Sequence, residues 1–253
     1  AERALQEKGS VLIVVNTRSS AKALYKEIKI RNLGAEVYHL STNMCAAHRE
    51  DVLEKEIKPK LEAKEPVMCV STQLIEAGVD IDFGAVIRAL AGLDSIAQAA
   101  GRCNRHGERE GGGKVWVVNP QEENLDRLKD IQSGREHAQR VLDDFSVNPA
   151  DFGNDPIGLK AILDYYDLYY KAHKNELDYP VGKNSSFGRD DHLFNALSVN
   201  ELAKAAYQAS QRADPDMLLR QSFRTANEEF CVIDSPTRGV IVPYGDGDKI
   251  ITK

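Results

Sequence analysis

Two arginines, Arg102 and Arg105, stand three residues apart in the stretch Gln98-Ala99-Ala100-Gly101-Arg102-Cys103-Asn104-Arg105-His106-Gly107. A guanidinium is planar and permanently charged, and its fork of N–H donors suits a phosphate. Side chains three apart share one face of a helix, and Gly101 keeps the backbone thin ahead of the first arginine, so both forks can reach one target. Paired forks suit a transferring γ-phosphoryl group, on which negative charge shifts in the transition state. The competing reading is a surface helix whose arginines sit in solvent.

A second polar block lies upstream, in Val70-Ser71-Thr72-Gln73-Leu74-Ile75-Glu76-Ala77-Gly78-Val79-Asp80-Ile81-Asp82. The apolar run over residues 67–70 ends in two hydroxyls, and a polar turn with Gly78 and Asp80 follows. A strand that ends this way presents its side chains at the carboxyl edge of a parallel sheet, where α/β proteins bind ligands. Hydroxyls there can bond nucleic-acid phosphates, and a carboxylate can bond a ribose hydroxyl.

The elements that must position these blocks alternate. Short apolar runs predict strands over 10–15, 35–40, 67–70, 84–90 and 114–119, with those at 10–15 and 84–90 buried. Helical periodicity predicts helices over 21–33, ended by Gly34, over 44–58, stopped by Pro59, and over 93–105, bearing the arginines. Such alternation with short links implies a mostly parallel sheet covered by helices on both faces. After Pro120 the pattern changes to a mainly helical region, with helices expected over 122–145, 157–173 and 191–212. A C-terminal β-hairpin is expected from 230–234 and 240–244 around the turn residues Ser235 to Gly239. Tyr165, Tyr166, Tyr169 and Tyr170 recur at spacings that favour packing over base stacking.

Together the two blocks resemble motifs V and VI of superfamily 2 helicases. The form S-T-Q-x-x-E-A-G-V-D-I-D-F followed by Q-A-A-G-R-C-N-R-H-G, with F-x-V-I-D and V-I-V-P-Y near the C-terminus, is similar to the CRISPR-associated helicase-nucleases of type I systems. That resemblance implies a second RecA-like helicase lobe over 1–120, a helical linker region over 121–189 and part of an accessory domain over 190–253. It implies an intact protein that hydrolyses ATP to translocate on single-stranded DNA, unwinding and degrading invading DNA after recruitment by an RNA-guided surveillance complex. Arg102 and Arg105 would stabilise the γ-phosphate, Gln98 would orient their helix, and Gly78, Asp80 and Gly101 would couple nucleotide to DNA. The DNA backbone would meet Asn16, Thr17, Ser41, Thr42, Arg49, Ser71, Thr72 and Gln73. For Arg49 an intrahelical pair with Glu50 or Glu54 is the competing expectation.

Nothing in the chain matches G-x-x-x-x-G-K-[ST], and no acidic box follows a strand. ATP and Mg²⁺ would therefore be held mainly by a preceding lobe, with a nuclease domain also elsewhere in the same protein. Asp190-Asp191-His192 reads as a helix N-terminus, and no metal site is expected. The charge is compatible with local DNA contacts and with no broad basic field: residues 1–120 hold 17 Lys and Arg against 16 Asp and Glu, while the remainder holds 16 against 23. The acidic second half leaves open a docking fragment without chemistry, and another superfamily 2 translocase is a further alternative. Four separated cysteines with no C-x-x-C pair suggest reduced thiols in a cytoplasmic protein. No apolar run approaches a membrane span. The start at Ala1, without methionine, suggests a piece of a longer protein.

Overall fold

The computed structural model describes residues 1–251 apart from 77, 108, 110, 177, 217–219 and 232–237. The chain forms two compact units, Ala1–Tyr169 together with Ile241–Lys253, and Tyr170–Val240.

In the first unit a short helix, α1 (Glu2–Lys8), leads through Gly9 into β1 (Ser10–Val14). There follow α2 (Arg18–Arg31), β2 (Glu36–Leu40), α3 (Ala46–Asp51), a π-helical turn (Val52–Ile57), α4 (Lys58–Glu62), β3 (Val67–Ser71), β4 (Ala85–Ala89), α5 (Leu93–Ala100) and β5 (Lys114–Val118). The five strands make one sheet in the order β2-β3-β1-β4-β5, and every pairing in it is parallel. Because successive residues of a strand point to opposite faces, β1 feeds two cores: Leu12 and Val14 pack with Val67, Cys69 and Val86 on one side, and Val11 and Ile13 pack with Met68, Val70 and Ala85 on the other. The α/β fold with helices about a parallel sheet is the one the alternating pattern predicts.

A third apolar cluster joins α5 to α6 (Lys129–Val147) and α7 (Leu159–Ala172), through Leu93, Ile96, Val141 and Tyr165. Gly92 is required there: a Cβ on it would lie 2.5 Å from the Tyr165 hydroxyl oxygen. Tyr165 is buried against Tyr166 and Tyr169, with ring centroids 5.2 and 5.9 Å away, so these three tyrosines pack.

Several expected boundaries are corrected. Pro59 does not stop its helix: the wider π turn, closed by the Lys58 N–H on the Leu53 carbonyl, leaves Pro59 in the first turn of α4, where its missing N–H costs nothing. The helix expected from Glu122 begins at Lys129, because Glu123 is drawn inward to bond the end of β1. The helix expected over 191–212 is two, α8 (Leu193–Leu197) and α9 (Glu201–Gln211), which follow the two-residue strands β6 (Pro180–Val181) and β7 (Asp191–His192). They break where Asn200 adopts a left-handed φ of 50° and donates to the Arg220 carbonyl and the Ser222 hydroxyl. The cluster at Asp190-Asp191-His192 sits just before α8, where buried Asp191 accepts from Arg189 and Asn195. After α10 (Phe223–Glu229) the expected hairpin falls largely on residues 232–237, which lie outside the described residues. Val240 is 75% exposed, and a last helix, α11, spans Asp246–Ile251. No helix among the described residues is long and apolar enough to cross a membrane.

Candidate functional site

The carboxyl ends of β1, β2 and β3 open into one groove of about 1210 Å³. Its floor is built from residues that immediately follow these strands: Asn16 and Thr17 after β1, Thr42 after β2, and Thr72 and Gln73 after β3. Arg18, Lys22 and Arg127 line the same groove and supply its positive charge. Thr17 caps α2, its hydroxyl accepting from the Ser20 N–H at 3.1 Å, and Gln73 donates to the Asn16 carbonyl at 3.4 Å. Five of the eight expected DNA-contact residues thus meet in one place. The other three do not line it. Ser71 turns its hydroxyl onto the Thr72 carbonyl, and the buried Ser41 hydroxyl has no hydrogen-bond partner among the described residues. Arg49 makes neither a groove contact nor an intrahelical pair, because its Nη1 closes the loop before α3 on the Met44 carbonyl at 2.6 Å.

The arginine stretch departs from the expected helix. α5 ends at Ala100 with Gly101 as its cap, so Arg102 and Arg105 do not share a helical face. The cause is a long-range pairing: the Phe83 N–H donates to the Arg102 carbonyl at 2.9 Å and the Asn104 N–H to the Phe83 carbonyl at 3.0 Å, pulling the chain into a parallel bridge beside β4. Asn104 then turns at a φ of 50°. A Cβ at Gly101 would lie 3.4 Å from the Gln98 carbonyl oxygen, an ordinary contact, so packing within the chain does not demand glycine there. Gln98 is exposed on α5.

The two arginines therefore differ in kind. Arg102 is 8% exposed, and its guanidinium donates to the Ile75 carbonyl at 3.3 Å and to the Glu76 carbonyl at 2.6 Å, bracing the turn after β3. Arg105 is exposed, with its Nε 3.1 Å from an Asp80 carboxylate oxygen and its backbone N–H on Asp82. Gly78 supplies the left-handed turn, at a φ of 72°, that brings Asp80 to this position. Arg105 offers an accessible fork for an anion. Among the described residues no group of three or more His, Cys, Asp or Glu side chains gathers as a metal set.

One buried charge lies outside the expected site residues. Arg88 sits within the apolar strand β4 and is fully buried. Its Nη1 donates to the Asn16 side-chain oxygen and to the Ala89 carbonyl, both at 2.7 Å, and its Nε lies 2.8 Å from a carboxylate oxygen of buried Glu76. Burial pushes the Glu76 carboxyl up, against the opposing pull of Arg88 and Ser95, and lowers Arg88. Asn16 also donates to Glu123 at 2.7 Å, and Glu123 accepts the backbone N–H groups of Asn16 and Thr17 at 2.9 and 3.0 Å. The available signal was one charged residue inside an otherwise apolar run, which seldom occurs unless the charge is paired.

A family model described as CRISPR-associated nuclease/helicase Cas3, C-terminal, matches residues 7–108. The chain is 53% identical over 74 residues to a CRISPR-associated nuclease/helicase Cas3 of Haloferax volcanii, covering 27% of this chain and 8% of that protein. It is 34% identical over 97 residues to the Cas3 of Methanothermobacter thermautotrophicus, covering 38% and 11%. The matched segments thus span about a tenth of these relatives. In three dimensions it resembles the crystal structure of T. fusca Cas3-ATP with a TM-score of 0.53, at 16% identity over 69% of this chain and 23% of that one. Sequence match and fold agree in likening this chain to part of the Cas3 nuclease/helicases, the family model over residues 7–108 and the fold over 69% of the chain.

Proposed function

We propose that the chain is the second RecA-like lobe, with following residues, of an ATP-dependent helicase-nuclease. That protein translocates on single-stranded DNA, and unwinds and degrades invading DNA in type I CRISPR interference. The observation that carries the reading is the convergence of Asn16, Thr17, Thr42, Thr72 and Gln73 with three cations in one groove at the carboxyl edge of the sheet. Hydroxyl, amide and cationic side chains are the usual partners of phosphate oxygens and register a strand without reading its sequence. On the same lobe the exposed Arg105 fork, parked on Asp80, is suited to the γ-phosphate of ATP held by a preceding lobe. Arg102 acts by bracing the turn that carries Gly78 and Asp80. Mg²⁺ and the phosphate loop belong to that preceding lobe, the nuclease to another domain, and recruitment to an RNA-guided surveillance complex.

Two outcomes test this. The chain alone is expected to show no ATP hydrolysis with or without single-stranded DNA, while the intact protein turns ATP over when DNA is added; turnover by the pure chain refutes the assignment. The chain alone is also expected to bind single-stranded DNA weakly. With Arg18, Lys22 and Arg127 as the phosphate contacts, the logarithmic salt slope should be about −2, a loss of roughly 20-fold between 50 and 200 mM salt. Lys22→Ala should reduce that slope by about 1 with no change in sequence preference. Sub-micromolar affinity persisting at physiological salt would contradict the groove as described.

A further inference from the structure

Arg88 is an improbable residue for its place. It lies in the penultimate position of a strand buried on both faces, on the side of the sheet that Val86 shares with the apolar core. Its ion pair with Glu76 is close, at 2.8 Å, yet poorly aligned. Arg88 Nε, Arg88 Nη2 and Glu76 Oε1 find no hydrogen-bond partner among the described residues. A buried pair with unsatisfied atoms stabilises a fold no better than apolar residues of the same volume. Stability alone therefore gives no reason for a guanidinium here, whereas its contacts do.

Those contacts run without a break from one end of the lobe's edge to the other. Arg102 holds the Glu76 carbonyl at 2.6 Å. The Glu76 carboxylate faces Arg88, Arg88 donates to Asn16 at 2.7 Å, and Asn16 shares Glu123 with the backbone of Thr17. Asn16 and Thr17 line the groove, and the turn after Glu76 carries Gly78 and Asp80, on which Arg105 rests. We propose that Arg88 is a positioning residue that ties the arginine end of the lobe to the strand groove, fixing Asn16 through one nitrogen and the turn after β3 through its pair with Glu76. This rests on the helicase reading above for what is coupled, though not for the connection itself. Displacement of Asn16 by a strand in the groove shifts Arg88, and with it the turn that sets Asp80 and Arg105. Coupling of two sites requires such a contiguous element, with two arrangements that each ligand biases.

The test uses the intact helicase. Replacing both partners by apolar residues of similar volume, Arg88→Met with Glu76→Leu, removes the connection without leaving a lone buried charge. The melting temperature is expected to stay within a few degrees of wild type, while the ratio of ATP turnover with and without single-stranded DNA falls by roughly 10-fold, within the usual span of couplings. A folded double variant whose stimulation stays within about twofold of wild type overturns the proposal. If the double variant does not fold, Arg88→Lys replaces it: the ammonium keeps the charge and cannot span Asn16, Ala89 and Glu76 together, so the same loss is expected, and retained stimulation has the same adverse meaning. Hydrogen exchange on the ligand-free protein supplies a readout independent of activity. Faster exchange is expected in both the segment 14–20 and the segment 99–105; faster exchange confined to β4 marks a packing role and refutes the connection. Should the wild-type helicase show no stimulation by DNA, the functional reading fails, and the exchange pattern still decides whether Arg88 ties the two ends.

Discussion

Arg105→Ala in the intact helicase is expected to lower ATP turnover by roughly 10³–10⁵-fold, the contribution of a guanidinium that meets phosphoryl charge in the transition state. Its melting temperature should match wild type. The side chain is 40% exposed and its Asp80 partner 66% exposed, and solvent-facing pairs of this kind contribute little to stability. Arg105→Lys should not restore turnover, since an ammonium cannot make the two-pronged contact. Arg102→Ala should behave differently. Its guanidinium is buried on two carbonyls, and leaving the Ile75 and Glu76 carbonyls without donors costs about 1–3 kcal/mol, so the melting temperature should fall along with the rate. ATP hydrolysis at saturating single-stranded DNA, set beside a thermal melt, separates the two. Near-normal turnover in Arg105→Ala would take that residue out of the chemistry, and an unchanged melt in Arg102→Ala would contradict its bracing role.

Glu76→Ala is expected to destabilise the lobe by roughly 3–5 kcal/mol, because it strands the fully buried Arg88 charge without its ion-pair partner. The effect should exceed that of truncating an exposed carboxylate such as Glu54 many times over. Adding Arg88→Met to a Glu76→Leu background should recover most of the loss, since an apolar pair of similar volume removes the desolvated charges together. Chemical denaturation of these variants and of Arg88→Met alone checks this. Additive losses in the double variant would mean that the two side chains do not act as a pair, and that the 2.8 Å separation has little energetic weight.

The sheet was legible because most of its strands are largely apolar stretches of five residues, punctuated by Gly, Asn and Pro, and local composition is enough to mark them. The groove residues were legible for a related reason: in a parallel sheet, the residue after a strand must lie at the ligand-binding edge whatever the strand order. The path of Arg102 and Arg105 was not. Helical spacing continues through Gly101, but the backbone of Phe83, some twenty residues upstream, captures the Arg102 carbonyl and ends the helix. No window along the sequence contains both partners. Arg88 was hidden by the opposite effect. Its neighbours define a buried strand so clearly that its charge is passed over, while its side-chain partners, Asn16 and Glu76, and Glu123 beyond Asn16, are scattered over the chain. The start of α6 was misplaced by the same Glu123, which helical periodicity assigns to a solvated face and the fold turns inward to β1.

That inward turn has a bearing on how firmly the groove can hold. Backbone N–H groups at the start of a helix form a natural cradle for an anion, and at the entry to α2 the chain's own Glu123 carboxylate already takes the N–H groups of Asn16 and of the cap residue Thr17. On the proposed reading, a strand lying in the groove is left with the side chains on its walls and with the N–H groups of α2 that Glu123 does not reach. Contacts of that sort release readily and are screened by salt. A motor of the proposed kind has to let go of its polymer at every step, and a groove whose own carboxylate occupies part of the main chain at its floor makes letting go cheap.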